Sequence, residues 1–342
     1  LNIRLPMKQK SGGHSKEAGE LHLHSLRYFS DDMKEIQSRL DFRMGARGWC
    51  YALEPYGLPK DEFNRTQELI KECRLLGFLQ PGFILEEEGH EVEKQKDDSQ
   101  SVEDYINGQY EDYQNAGEYF KESWRFYDGV SFWDMQDCYI QILVEKVELK
   151  SLFRKICKKY RIPIANLRGW GSMEQKAVMA EKFKEMEQEG KKPVLLTCGD
   201  FDPAGLCISA VLKKQFKEYE LFTGWNPDNL QVERIGLDYD FIQENKLTWI
   251  DNLISASKKD ISKPTHKFYI NNVYGVREYI AKYGVRKCEA NAIVIVPELG
   301  RKMLQDSIDD FLGADAYSKY EAIIYERKLE AERQIEEIID NE

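Results

Sequence analysis

Apolar positions along the chain follow two regimes. Up to about residue 85 they recur at helical spacing, whereas from residue 137 short apolar runs alternate with amphipathic stretches. Met33, Ile36 and Leu40 repeat at the helical interval, and Ser30 ahead of Asp31 and Asp32 has the chemistry of an N-cap. A second short helix fits 46–53. After the Glu54-Pro55-Tyr56-Gly57 turn, Pro59 opens a third, with Phe63, Leu69, Ile70 and Cys73 as its apolar stripe. Lys60, Arg65, Lys71 and Arg74 surround that stripe, and Gly77 stops the helix. Phe78 to Leu85 reads as an extended apolar segment broken by Pro81-Gly82.

Three short helices followed by an extended segment are the sequence pattern of a winged helix-turn-helix, expected here over 26–85, and equally of a small helical domain with no DNA role. Residues 1–25 lack apolar periodicity and are expected to form a flexible leader. Residues 86–136 are acidic and rich in Gln, Asn, Asp and Tyr; they read as a linker, with part of 102–126 at helical spacing. Strands are expected at 139–144, 162–166, 194–198 and 231–236, with helices at 147–160, 173–189 and 205–218. That alternation predicts an α/β domain over 137–316, a parallel sheet with flanking helices. A strongly helical tail, with opposite charges at i, i+4 spacing, closes the chain over 317–342.

At 342 residues the chain exceeds the usual single-domain size, and 42% hydrophobic with 32% charged residues describes an ordinary globular protein. Its longest apolar runs, 193–198 and 292–297, fall far short of the roughly 20 residues of a bilayer span. No basic, apolar, small-residue signal pattern opens the sequence, so the expected location is cytoplasmic. The 7 cysteines include no CxxC pair and are expected to be buried thiols. A net charge of -11 disfavours a whole-surface attraction to DNA, so any nucleic-acid face must be a local basic patch.

The candidate chemistry lies where predicted parallel strands end, the edge at which open α/β sheets place ligand sites. Glu145 ends the first strand and is followed by Lys146, and Gly199-Asp200-Phe201-Asp202-Pro203-Ala204-Gly205 ends the third. In an extended Asp-x-Asp both carboxylates project to one side. Glu145, Asp200 and Asp202 are therefore candidate metal ligands, suited to Mg2+ (Mn2+ as substitute) holding a phosphodiester. Arg168-Gly169-Trp170-Gly171-Ser172, after the intermediate strand, reads either as a phosphate contact through Arg168 or as a Gly-rich turn capped by Ser172.

Glu145-Lys146, Arg168-Gly169 and the Gly199–Gly205 run together resemble the Toprim domain, and more specifically the A subunit of DNA topoisomerase VI and its relative, the meiotic double-strand-break transesterase. Val232-Glu233-Arg234-Ile235-Gly236-Leu237 and Cys288-Glu289-Ala290-Asn291-Ala292 are similar to single-chain bacterial and archaeal relatives of that subunit. The resemblance covers most of residues 26–310. It implies a winged helix carrying a catalytic tyrosine, and Arg47-Gly48-Trp49-Cys50-Tyr51 stands in that place, although Trp49-Cys50 depart from the usual apolar-aromatic pair. Tyr51 is then the candidate nucleophile, and its phenol would need a positive neighbour such as Arg43 or Arg47.

Double-stranded DNA is the expected substrate, contacted by Arg43, Arg47, Lys60, Arg65, Lys71 and Arg168. The family analogy implies a homodimer in which tyrosine and metal come from different subunits. Two mechanisms follow: attack by Tyr51 with a covalent protein–DNA link, or hydrolysis by metal-activated water, the version favoured for a lone chain. No phosphate-cradling Gly-rich loop is present, so strand passage would need a separate ATPase subunit. A catalytically inactive DNA-binding or assembly module is the alternative from another class, and a primase-like polymerase is a further enzyme alternative.

Overall fold

The computed structural model describes residues 3–6, 16–85, 101–127, 129–166, 173–255 and 258–340. Leu26, Phe29, Met33 and Ile36 are buried at successive helical intervals, and this stripe draws the first helix, α1, out over Lys16–Ser38. The expected N-cap is thereby corrected. Ser30 is an interior, buried residue of α1, and its hydroxyl donates to the Arg27 carbonyl at 2.7 Å instead of accepting from a helix N-terminus. Part of the expected leader is thus helical, and Ile3, also buried, donates its N–H to the Tyr56 carbonyl.

Helix α2 (Ala46–Leu53) and helix α3 (Phe63–Leu75) follow where their apolar spacing places them. Phe78 to Leu85 differs from the extended expectation: it contains a 3-10 turn at Pro81–Phe83, whose Phe83 ring stacks on Trp49 at 5.1 Å. Pro81 favours that turn, and burying Trp49 under Phe83 replaces a strand pairing. No strand occurs among the described residues of 1–85.

Further along lie α4 (Val102–Glu122), β1 (Cys138–Val144), α5 (Val147–Lys159), β2 (Ile164–Asn166) and α6 (Met173–Gln188). Next come β3 (Lys192–Cys198), α7 (Pro203–Leu206), α8 (Ile208–Glu218), α9 (Glu220–Thr223) and β4 (Gln231–Gly236). Beyond β4 lie α10 (Tyr239–Glu244), α11 (Lys267–Ile270), α12 (Val276–Tyr283), α13 (Pro297–Leu312) and α14 (Ala316–Asp340). Where one helix was expected over 205–218, two form. Asp202 caps the first and Pro203 occupies its opening position, so the helical backbone starts earlier than Gly205 and breaks at Cys207.

The described residues are mixed α/β, mostly helical, with a four-stranded parallel sheet in the order β2-β1-β3-β4. Ile142, Leu143 and Val144 stand opposite Ile164, Ala165 and Asn166, and Val194 to Thr197 stand opposite Gln231 to Arg234. Every residue of β1, and all of β3 after Lys192, is buried, as expected for central strands covered on both faces. Edge strand β4 is buried only at its end.

Two compact units emerge from the contacts: Leu1–Glu87 with Tyr139–Ile308, and Glu88–Cys138 with Asp309–Glu342. In the first, α2 and α5 both pack on the 3-10 segment Ala290–Ile295, and Glu148, a buried carboxylate of α5, accepts the N–H of Gly48 in α2. In the second, α14 packs with α4, and Tyr320 meets the Phe132 ring edge-on at 5.4 Å while its hydroxyl donates to the Val130 carbonyl. Among the described residues no helix is long and apolar enough to cross a membrane. Cys50, Cys73, Cys138, Cys157, Cys198 and Cys288 are buried free thiols, and Cys207 is half-buried.

Candidate active site

Parallel pairing brings the ends of β1 and β3 side by side, and two of the acids sit there. Glu145 extends the pairing by donating its N–H to the Cys198 carbonyl at 2.9 Å. One oxygen of Glu145, Oε2, accepts the N–H of Asp200 at 2.8 Å, and one oxygen of Asp200, Oδ1, accepts the N–H of Ala290 at 2.8 Å. Their other oxygens converge on a single cation. Lys146 Nζ lies 3.0 Å from Glu145 Oε1 and 2.8 Å from Asp200 Oδ2. Asp202 uses Oδ1 to accept the N–H of Gly205 at 2.7 Å, capping α7.

The turn is packed too tightly for other residues. A Cβ on Gly199 would lie 2.8 Å from Glu145 Oε2, and one on Gly205 only 2.0 Å from the Asp200 carbonyl oxygen. Arg234, on β4, stitches this turn from below: its guanidinium donates to the carbonyls of Gly205, Gly199, Asp200 and Leu237 at 2.9 to 3.0 Å. Five donors in a rigid fork suit Arg to a strand-end loop whose carbonyls face inward.

These groups border a cavity of about 440 Å³. Glu145, Lys146, Asp200, Asp202, Lys287 and Glu289 form its polar side, and Ile208, Leu253, Ile261, Phe268 and Tyr274 its apolar wall. Burial is the largest influence on Asp200, whose carboxyl is pushed up to about 6; Glu145 adds to the rise and Lys146 opposes it. Asp202 is raised by burial and then by the charge of Asp200. Burial alone would lower Lys146, but the carboxylates of Asp200 and Glu145 outweigh it and hold the ammonium firmly charged.

A hard divalent cation suits this donor set in chemistry: three carboxylates, two of them aimed by backbone N–H groups, at a cost in buried negative charge that a cation relieves. The arrangement differs from a metal cage. Among the described residues no group of three His, Cys, Asp or Glu side chains is placed to hold a metal ion together. The two converging oxygens are satisfied by the Lys146 ammonium instead.

Tyr51 occupies a different environment. Its side chain is fully buried, and its hydroxyl donates to Glu289 Oε2 at 2.6 Å. The same carboxylate accepts from Arg47 Nε at 3.2 Å. Burial, followed by the Glu289 charge, moves the phenol well above its ordinary value, while Arg47 keeps Glu289 below its own against the effect of burial. Arg47 is thus beside Tyr51, as a phenol activator would be, but Arg43 is not: its guanidinium donates to the carbonyls of Gly82 and Ile84.

The other expected DNA contacts divide. Lys60 donates to the Thr248 carbonyl at 3.0 Å and lies 4.0 Å from Glu54, and Arg65 bonds Glu62 and the Pro6 carbonyl. Lys71 is exposed on α3. Arg168 and the rest of its Gly-rich run lie outside the described residues. The structure adds three groups that pattern reading did not single out: Arg234, Glu289 and the N–H of Ala290. Their stretches were noticed only for resemblance, and only the folded contacts reveal their work. Comparison with protein-family models, curated proteins and solved structures found no match for this chain.

Proposed function

We propose that this chain is a magnesium-dependent enzyme that hydrolyses the DNA backbone at the acidic edge of a Toprim-type sheet. The observation that carries the proposal is the meeting of Glu145 and Asp200, with Asp202 one turn onward, at neighbouring strand ends around a cavity that already concentrates a cationic side chain. Glu145, Asp200 and Asp202 would hold Mg2+, or Mn2+ in its place. A bound ion of this kind supplies charge stabilisation at a phosphoryl oxygen and a water of lowered pKa.

The chain's own contribution is preorganisation. Backbone N–H groups of Asp200 and Ala290 aim two carboxylates, and Arg234 fixes the turn that carries two of the acids. Helices α1–α3, which stand where a winged helix was expected but carry no wing strand among the described residues of 1–85, would be the DNA-facing part, with exposed Lys71 as its clearest phosphate contact. Hydrolysis is preferred to transesterification because Tyr51 is sealed from solvent and its proton is committed to Glu289. A homodimer belongs to the transesterase scheme and a separate ATPase subunit to strand passage, and neither is needed for hydrolysis within one chain.

The inactive-module reading has one specific observation in its favour, the pairing of Lys146 with both Glu145 and Asp200. Nicking of supercoiled plasmid separates the two. The enzyme reading expects Mg2+-dependent nicking that EDTA stops and that Asp200→Ala lowers by about a hundredfold or more, the scale of losing one preorganised electrostatic group. Plasmid that stays intact with either metal, while still being bound, selects the module.

A further inference from the structure

Among the described residues Lys146 is the one cation that bonds two of the three acids, and its place in the chain favours that contact. It follows Glu145 directly, immediately before α5 begins at Val147, so its side chain emerges at the strand edge itself. There the ammonium completes both carboxylates at 2.8 and 3.0 Å while three-quarters of its side chain is shielded from water. A divalent cation bound by Glu145 and Asp200 would compete for the same two oxygens, the ones that no backbone N–H occupies, since each carboxylate's other oxygen accepts one.

Charge counting gives the lysine a second task. Three carboxylates, a divalent ion and Lys287, which lines the same cavity, sum to neutral; retaining Lys146 nearby leaves the site one charge positive, which attracts a phosphodiester. Glu289 does not disturb that balance, since Arg47 is paired with it. Once released from the acids, the ammonium still borders the cavity, where a phosphate would be the anion left to meet it.

We infer that Lys146 is an exchangeable internal cation: it holds the acids together before metal binds, yields their oxygens to the metal, and then serves as a contact for the phosphate to be cleaved. This rests on the metal-site reading above and deepens it. The inference makes Lys146 a negative determinant of metal affinity and a positive determinant of DNA affinity, a combination that neither a purely structural salt bridge nor a simple DNA-binding lysine produces.

The test is a Mn2+ titration, followed by the paramagnetic resonance of free Mn2+, on the full chain, on Lys146→Met and on Asp202→Asn. Lys146→Met should bind Mn2+ about tenfold more tightly than the wild type, and Asp202→Asn more weakly. In Ca2+, used in place of Mg2+ to suppress cleavage, Lys146→Met should bind a short duplex more weakly. Because Lys146→Met risks misfolding, the wild type supplies an independent readout: acetylation of lysines by an N-hydroxysuccinimide ester, mapped by peptide mass spectrometry. Addition of Mn2+ should speed labelling of Lys146 and leave exposed Lys71 unchanged.

Binding of Mn2+ that Asp202→Asn weakens, with Lys146 labelling unmoved and affinity in Lys146→Met equal or lower, overturns the exchange and leaves the metal site standing. Binding seen only in Lys146→Met supports the exchange. No binding to any form overturns both.

Discussion

Two acidic centres lie within the same unit and use carboxylates in opposite ways. At the sheet edge, Glu145, Asp200 and Asp202 border a cavity, and their balancing charge is a lysine on the same border. At α2, Glu289 is paired with Arg47 and receives the hydroxyl of a tyrosine with no exposed surface. The first centre leaves space for a ligand beside incompletely offset charge. The second is satisfied by partners inside the fold, although Glu289 also borders that cavity. Polar groups with their partners inside the fold are structural until something opens them, whereas buried like charges kept together beside a cavity are a feature that function explains more readily than stability does.

The largest effect that would sharpen this contrast is Glu289→Ala. It leaves Arg47 and the Tyr51 hydroxyl without their shared acceptor, and equilibrium unfolding in urea should show a loss of about 3 kcal/mol or more. Little change would show that the Arg47–Glu289–Tyr51 cluster is not a closed structural unit.

Next comes the pH dependence of the sheet edge. Asp200 is held near 6 in the folded chain against an ordinary 3.8. The unfolded chain therefore releases this proton first, so the folded state loses stability as pH rises from about 4 to about 6, by roughly 3 kcal/mol at most. Asp200→Asn lacks that proton. The stability of the wild type relative to Asp200→Asn should fall across this window and level off above it. A difference that grows with pH would contradict the assignment.

Smaller again is Tyr51→Phe, which removes one hydrogen bond to a charged acceptor and should cost about 2 kcal/mol in the same unfolding assay. The smallest effect concerns DNA. Lys71→Ala should weaken duplex binding across all sequences and reduce the slope of log affinity against log salt by about 1, read by fluorescence anisotropy.

Much of this architecture was legible because buried parallel strands advertise themselves as short apolar runs. β4 falls where the pattern put it, and the boundaries of β1, β3, α2, α5 and α14 differ from expectation by at most two residues. Glu145 and Asp200 were legible for the same reason, since a strand's end fixes where the next acid lies. The start of α1 was not, because the Ser30 capping signal is local and the stripe through Leu26 and Phe29 is short. Arg47 and Lys60 look like DNA contacts in sequence. Whether a cation faces water or Glu289 and Thr248 is decided by chain segments far downstream. The N–H of Ala290 that aims Asp200 is a backbone group with no residue-type signal at all.

The most direct test of the central claim sets the two centres against each other in one assay, Mg2+-dependent nicking of supercoiled plasmid by Asp202→Asn and by Tyr51→Phe. Asn is as good a helix cap as Asp, so the first variant keeps the turn while losing a charge from the candidate site. Nicking that Tyr51→Phe retains and Asp202→Asn loses, with DNA ends free of covalently attached protein, is the predicted result. Nicking lost in Tyr51→Phe, with protein trapped on the wild-type ends, would contradict the account and return the chemistry to the tyrosine.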